Sequence, residues 1–195
     1  GNITKTNLIE KGISTLLIEK QFQIAINKYF GNIKFDLVLY STPPITFEKV
    51  VRYIKNRDEC NSYLLLKDIF PQNAVDIGMM KKGSILWKYF RKKEMRLYQI
   101  SDYIGCMSKA NVKYILEHNP EIEKGKVEVC PNSIKPLKLN TKVRHSKKEI
   151  RIKYGIPEDS IVFVYGGNLG LPQGIDFLIE VLDHLKDRED IFFLI

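Results

Sequence analysis

The stretch richest in chemistry runs Ile161-Val-Phe-Val-Tyr165, then Gly166-Gly167-Asn168-Leu169-Gly170-Leu171-Pro172-Gln173-Gly174, then an amphipathic segment from Ile175. An apolar β-rich run, a glycine-rich turn and a helix in that order gather free backbone N–H groups and the positive end of a helix dipole at one point. That arrangement holds an anion, most naturally a diphosphate. Gly166, Gly167 and Gly170 are expected to supply φ > 0 and a close approach for the ligand. The spacing is not GxGxxG, because Asn168 or Leu169 stands where a glycine is required, and no GK[ST] ending follows. Neither a dinucleotide fingerprint nor an ATPase loop is therefore read. A tight turn that only closes the helix onto the strand accounts for the same residues, and at this level both readings stand.

Weaker spots follow four other apolar runs: Ser41-Thr42-Pro43-Pro44, Lys67-Asp68-Ile69-Phe70-Pro71, Ser108, and Asn132-Ser133. Ligands of open α/β sheets bind at the carboxyl ends of the strands, although Ser, Thr, Asp and Asn also serve there as caps and turns. All four spots are expected on one sheet edge, facing the glycine turn. Cys60, Cys106 and Cys130 form no CxxC pair, and His118, His145 and His184 form no HExxH. Neither a disulfide framework nor a zinc site is indicated, so a reducing compartment and a chemistry without bound metal are expected.

The elements that must position these residues are short apolar strands: 36–40, 62–66, 103–107, 127–130, 161–165 and 191–195. Helical spacing falls between them, at 15–29, 47–56, 86–99, 110–117, 148–153 and 175–186. Such alternation predicts an α/β fold, a Rossmann-like parallel sheet with helices on both faces. The segment Pro131–Ser146, with two prolines and little apolar periodicity, reads as a seam. The chain then divides into a first domain at 1–135, a linker at 136–146 and a second Rossmann-like domain at 147–195, only partly present. A start at Gly1 and a stop inside the apolar run at Ile195 suggest a piece of something longer.

Composition excludes collagen-like, low-complexity and disordered classes, at 44% hydrophobic and 28% charged residues. No apolar stretch reaches the roughly 20 residues of a membrane span, and no signal-peptide layout opens the chain. The net charge of +8 is uneven: residues 1–150 hold 27 Lys and Arg against 15 Asp and Glu, residues 151–195 hold 4 against 8. The excess peaks from Lys81 to Arg96, where seven cations face only Glu94 and interleave with Leu86, Trp87, Tyr89, Phe90, Leu97 and Tyr98. Three readings of this segment stay open: the solvated face of a helix, a surface for anionic lipid, and a nucleic-acid contact. No zinc finger, helix-turn-helix or RNA-binding signature supports the last, and no nucleic acid is expected.

Five segments, DLVLYSTPP, KDIFPQNAVDIG, SDYIGCMS, KVEVCPNSI and IRIKYGIPEDSIVFVYGGNLGLPQGIDFLIEVL, come in an order and spacing that resemble the group 1 (family 4) retaining glycosyltransferases of the GT-B fold. The likeness is greatest to their bacterial surface-polysaccharide branch, which includes aminosugar transferases, and covers residues 34–195. It implies two Rossmann-like domains, with an acceptor held mainly by the first and a nucleotide-sugar mainly by the second. It further implies metal-independent transfer of a hexosyl or aminosugar unit, with retention, to a glycan or lipid-diphosphate-linked acceptor in capsule or O-antigen synthesis. No cofactor is implied, since the nucleotide-sugar is a substrate. The location implied is cytoplasmic, peripheral on the inner membrane face, where Lys81–Arg96 would meet anionic lipid. A fragment of this extent is expected to be inactive alone.

By the same resemblance Gly166, Gly167, Asn168, Gly170 and Gln173 cradle the donor diphosphate, and Asp68 with Lys67 takes the catalytic position. Thr42 and Ser108 lie on the acceptor side, and Asn132 marks the crossing between domains. Two departures stand out. Asn168 and Gln173 occupy positions where many members carry Arg and Lys, a difference of about 1 kcal/mol in leaving-group binding for each. Lys67 stands where many members have His. The rival expectations are a basic nucleic-acid-binding module and a sugar-nucleotide epimerase of related architecture.

Overall fold

A computed structural model describes residues 8–136 and 146–195. The chain divides into two compact units, Gly1–Ser133 and Ile134–Ile195. The linker expected at 136–146 falls almost wholly on 137–145, outside the described residues.

In the first unit, β1 (Leu37–Ser41), β2 (Asn61–Leu66), β3 (Tyr103–Cys106) and β4 (Val127–Val129) form one parallel sheet in the order β1-β2-β3-β4. Leu39 lies opposite Tyr63, Tyr63 opposite Tyr103, and Ile104 opposite Val127. The helices are α1 (Leu8–Phe30), α2 (Glu48–Asp58), α3 (Gln72–Asp76), α4 (Ile85–Ile100) and α5 (Lys109–His118). Each strand pairs with the next, so every crossover steps the same way. Right-handed crossovers then place all the intervening helices on one face.

Burial follows from that handedness. Leu64, Leu66, Ile104 and Cys106 on the covered face are packed with Leu97 and Tyr98 of α4 and Ile115 of α5. Each such aliphatic side chain contributes about 1.5–3 kcal/mol on leaving water. The opposite face leaves Leu37, Leu39 and Tyr103 at least half exposed, with Tyr63 stacked on Tyr103 at 6.4 Å. The expectation of helices on both faces is thus met on one face only among the described residues, because the strand order never reverses.

Caps set the helix starts. Ser84 Oγ accepts from Trp87 N at 3.2 Å to open α4. Ahead of α2 no side chain of its own caps, and Glu19 of α1 accepts from Lys49 N at 2.5 Å instead. At the amino edge of the sheet, Asp102 joins Lys55 Nζ at 2.6 Å and Ser62 N at 2.7 Å, tying α2 to β2 and β3.

The second unit contains α6 (Lys147–Lys153), opened by a reciprocal Ser146–Glu149 capping box, then β5 (Ile161–Val164), α7 (Ile175–Leu185) and β6 (Ile191–Leu194). β5 and β6 are parallel, with Phe163 opposite Phe193. Ile156, at 9% exposure, is its one buried apolar side chain among the described residues. All six expected strands are present within two residues of their predicted bounds. Helix α1 starts at Leu8 rather than at Thr15, and the short α3 has no counterpart in the sequence reading.

Candidate functional site

Four parallel strands deliver their outgoing loops to one edge of the first unit. After β2, Lys67 and Asp68 stand exposed, neither side chain paired among the described residues. The loop is anchored from beneath. Thr42, buried after β1, donates its Oγ1 hydroxyl to Asp68 O at 3.1 Å and accepts from Asp68 N at 3.3 Å. Farther along, Phe70 packs edge-on against Phe90 at 5.0 Å and Pro71 is buried.

α3 then brings Gln72, Asn73 and Asp76 to this edge, and the first turns of α5 bring Asn111 and Tyr114. Together with Lys67 and Asp68 they surround a cavity of about 420 Å³, within the size range of small-molecule sites. Gln72 Nε2 donates to Asp76 Oδ1 at 2.7 Å. Ser108 is the cap of α5: its Oγ accepts from Asn111 N at 3.2 Å and donates to Asn111 Oδ1 at 2.6 Å, which aims the Asn111 amide. Burial raises the Tyr114 phenol above its ordinary value, with Glu94 adding to it and Arg91 opposing, so it remains a donor at neutral pH. Two carboxylates, one ammonium, three amides and a phenol suit a ligand that both donates and accepts hydrogen bonds all round, as a sugar does.

Among the expected acceptor-side residues, Thr42 and Ser108 therefore position Asp68 and Asn111, while Asn132 lies exposed after β4 and does not line this cavity. Asn73, Asp76, Asn111 and Tyr114 escaped the sequence reading. Their i,i+3 spacing on two helices is the signal that marks them. No three His, Cys, Asp or Glu side chains are grouped to hold a metal ion among the described residues.

The glycine turn belongs to the second unit. Tyr165 N makes the last ladder bond, to Leu194 O at 2.9 Å. Beyond it, the N–H groups of Gly166, Gly167, Asn168 and Leu169 find no acceptor among the described residues. Tyr165 donates its hydroxyl to Asn168 O at 2.8 Å, and Gln173 N donates to Gly170 O at 3.0 Å as a 3₁₀ turn leads into α7.

The conformational expectation is corrected here. Of the glycines in this turn only Gly174 has a positive φ, +67°, at the point where the 3₁₀ turn becomes α7. Gly166, Gly167 and Gly170 lie outside the left-handed region. A Cβ on Gly166 would meet nothing within 4 Å, and one on Gly167 only the Tyr165 ring and hydroxyl from 3.5 Å. The fold of this unit thus does not require glycine at those two positions, and their missing side chains leave bare backbone facing solvent. Asn168 and Gln173 are exposed, and Asp176 in the first turn of α7 adds a negative charge. The turn offers N–H dipoles with no cation of its own.

No family model matches the chain. It is similar to a probable glycosyltransferase, WbjE, of Pseudomonas aeruginosa, with 21% identity over 197 residues. The alignment takes in 98% of this chain and 46% of that protein, so the chain spans about half the length of the curated relative it matches.

Proposed function

We propose that the chain is part of a glycosyltransferase that moves a sugar from a nucleoside-diphosphate donor to a glycan or lipid-diphosphate-linked acceptor. The observation that carries this reading is the set of unspent N–H groups from Gly166 to Leu169, between β5 and the 3₁₀ turn that leads into α7. Departure of a nucleoside diphosphate puts growing charge on phosphate oxygens, and preorganised N–H dipoles stabilise that charge. In this reading Gly166, Gly167, Asn168, Gly170 and Gln173 hold the diphosphate in the second unit. The cavity beside Asp68 and Lys67 takes sugar hydroxyls in the first. The likeness to a probable glycosyltransferase supports sugar transfer in general; retention, GT-B architecture and metal independence are parts of the proposal that the motifs of the chain support.

A peripheral, inner-face location in capsule or O-antigen synthesis belongs to the same proposal. Its support is the surface of α4, where Ile85, Leu86 and Tyr89 are exposed beside Lys82, Lys88, Lys92 and Arg96. Cations beside exposed apolar side chains suit an anionic lipid headgroup layer, at about 1 kcal/mol per basic residue. No helix among the described residues is long and apolar enough to cross a membrane. Binding to phosphatidylglycerol-containing vesicles that survives reversal of Lys88, Lys92 and Arg96 to Glu would remove this part.

The diphosphate site is tested by titrating the ¹⁵N-labelled chain with UDP and GDP. Saturable shifts are expected at the amides of Gly166 to Leu169 and the first turn of α7. Gly166→Ala is expected to keep the fold and weaken the response, since the added methyl meets only the ligand. Silence at these amides with both nucleotides would overturn the reading. Product analysis with and without an acceptor sugar separates transfer from epimerisation.

A further inference from the structure

A second cavity, of about 220 Å³, shares Gln72 and Tyr114 with the first and lies between α4 and α5. Pro71, Lys82, Trp87, Arg91, Glu94 and His118 complete its walls. Most of its charge is already committed. Arg91 reaches Glu94 Oε2 at 2.5 Å, His118 O at 2.9 Å and Asn119 Oδ1 at 2.5 Å. The other Glu94 oxygen accepts the Tyr98 hydroxyl at 2.7 Å.

Two donors are left over. Lys82 has no ion-pair or hydrogen-bond partner among the described residues, and the Trp87 indole N–H is buried without an acceptor. An indole can only donate, and a buried donor without a partner costs roughly 1–3 kcal/mol. Around them stand flat ring faces: Trp87 itself and the Tyr114 and His118 rings, stacked on each other at 3.9 Å.

We propose that this cavity binds an anionic oxygen group, a carboxylate or a phosphate, carried on a molecule the size of one sugar ring. Its charge pairs with Lys82 and the ring lies against the aromatic faces, while a small turn of the Trp87 side chain, whose Nε1 is closed to solvent here, lets one of its oxygens accept from that N–H. Glu94 does not repel it, because Arg91 neutralises that carboxylate within the wall. The volume falls below that of drug-sized sites, as a single ring requires. Contact with the larger cavity through Gln72 and Tyr114 makes this the next position along an acceptor. Only that placement rests on the transferase reading; the anion site does not.

Trp87 is the single tryptophan of the chain, so its indole N–H gives one cross-peak in a ¹H–¹⁵N correlation spectrum. The 195-residue chain is titrated separately with glucuronate, inorganic phosphate and glucose. A saturable downfield shift of that cross-peak is expected with glucuronate or with phosphate, and whichever gives it identifies the source of the charge; glucose is expected to give none. Lys82→Gln, on an exposed loop, is expected to weaken the response about tenfold, equivalent to about 1.4 kcal/mol, with the rest of the spectrum unchanged. No saturable shift with either anion, an equal shift with glucose, or full retention in Lys82→Gln would each overturn the proposal. Silence at Gly166 to Leu169 with a positive result here would sink the transferase reading alone, and the reverse result would sink this one alone.

Discussion

The loop after β2 and the turn after β5 occupy the same place in a strand–loop–helix unit, yet they are held by opposite means. The loop at Asp68 is fixed by distant side chains: Thr42 grips its backbone, Phe90 supports Phe70, and Pro71 is buried. The turn at Gly166 is fixed locally, by the Tyr165 hydroxyl on Asn168 and by the left-handed Gly174, above a sheet whose Phe163 and Val164 are exposed. The first presents side chains placed by packing; the second presents backbone placed by glycine. Substitutions in the core should therefore disturb one and spare the other.

The largest expected contrast is in stability. Leu97→Ala, fully buried under the sheet of the first unit, is expected to lower the unfolding free energy by about 2–5 kcal/mol. Phe163→Ala, at 49% exposure, is expected to fall below that range, with both read from urea midpoints followed by the amide cross-peaks of the unit that carries each substitution. Equal effects would erase the distinction between the units. Next comes Thr42→Val, which strands the Asp68 N–H and is expected to cost about 1–3 kcal/mol. It should broaden the Asp68 amide signal while leaving Gly166 to Leu169 unmoved.

Gly174→Ala forces a methyl into the left-handed region and is expected to cost about 1–2 kcal/mol. Hydrogen exchange should show faster opening in α7 alone, and protection lost equally from α4 would contradict local fixing. The smallest effect concerns acid. Burial raises the Asp102 carboxyl, but Lys55 and the Ser62 N–H and hydroxyl outweigh it and hold it below the usual Asp value. The native state then binds fewer protons than the unfolded chain, so this stability is complete above about pH 4 and is lost as pH falls through the native value. Asp102→Asn is expected to flatten the acid limb of the first unit's stability profile and to leave that of the second unit unchanged.

The framework of both units was legible because buried parallel strands read as short unbroken apolar runs, such as SYLLL and IVFVY, whose partners need not be known. Handedness and strand order were not legible: nothing in Leu37, Leu39 or Tyr103 says that no helix among the described residues covers them. At the site, Asp68 and the glycine turn stood out through residue type and position after a strand. Thr42 and Ser108 stood out for the same reason, although their hydroxyls serve neighbouring backbone and amide groups, a difference that only hydrogen-bond partners reveal. Asn73, Asp76, Asn111 and Tyr114 were hidden because α3 is a single short turn and α5 reads as an ordinary helix. The second cavity depends on Trp87 and Lys82 of the α4 region meeting Tyr114 and His118 of α5, a meeting that no local pattern announces.

The unreversed strand order has a practical side. With every crossover turning toward the same side, the far surface of the first unit shows water a greasy strip of Leu37, Leu39 and Tyr103 beside stacked tyrosine rings. Contiguous strips of this kind adhere to one another, so in a concentrated sample this surface, rather than the cationic helix on the other side, is where molecules of the chain will clump.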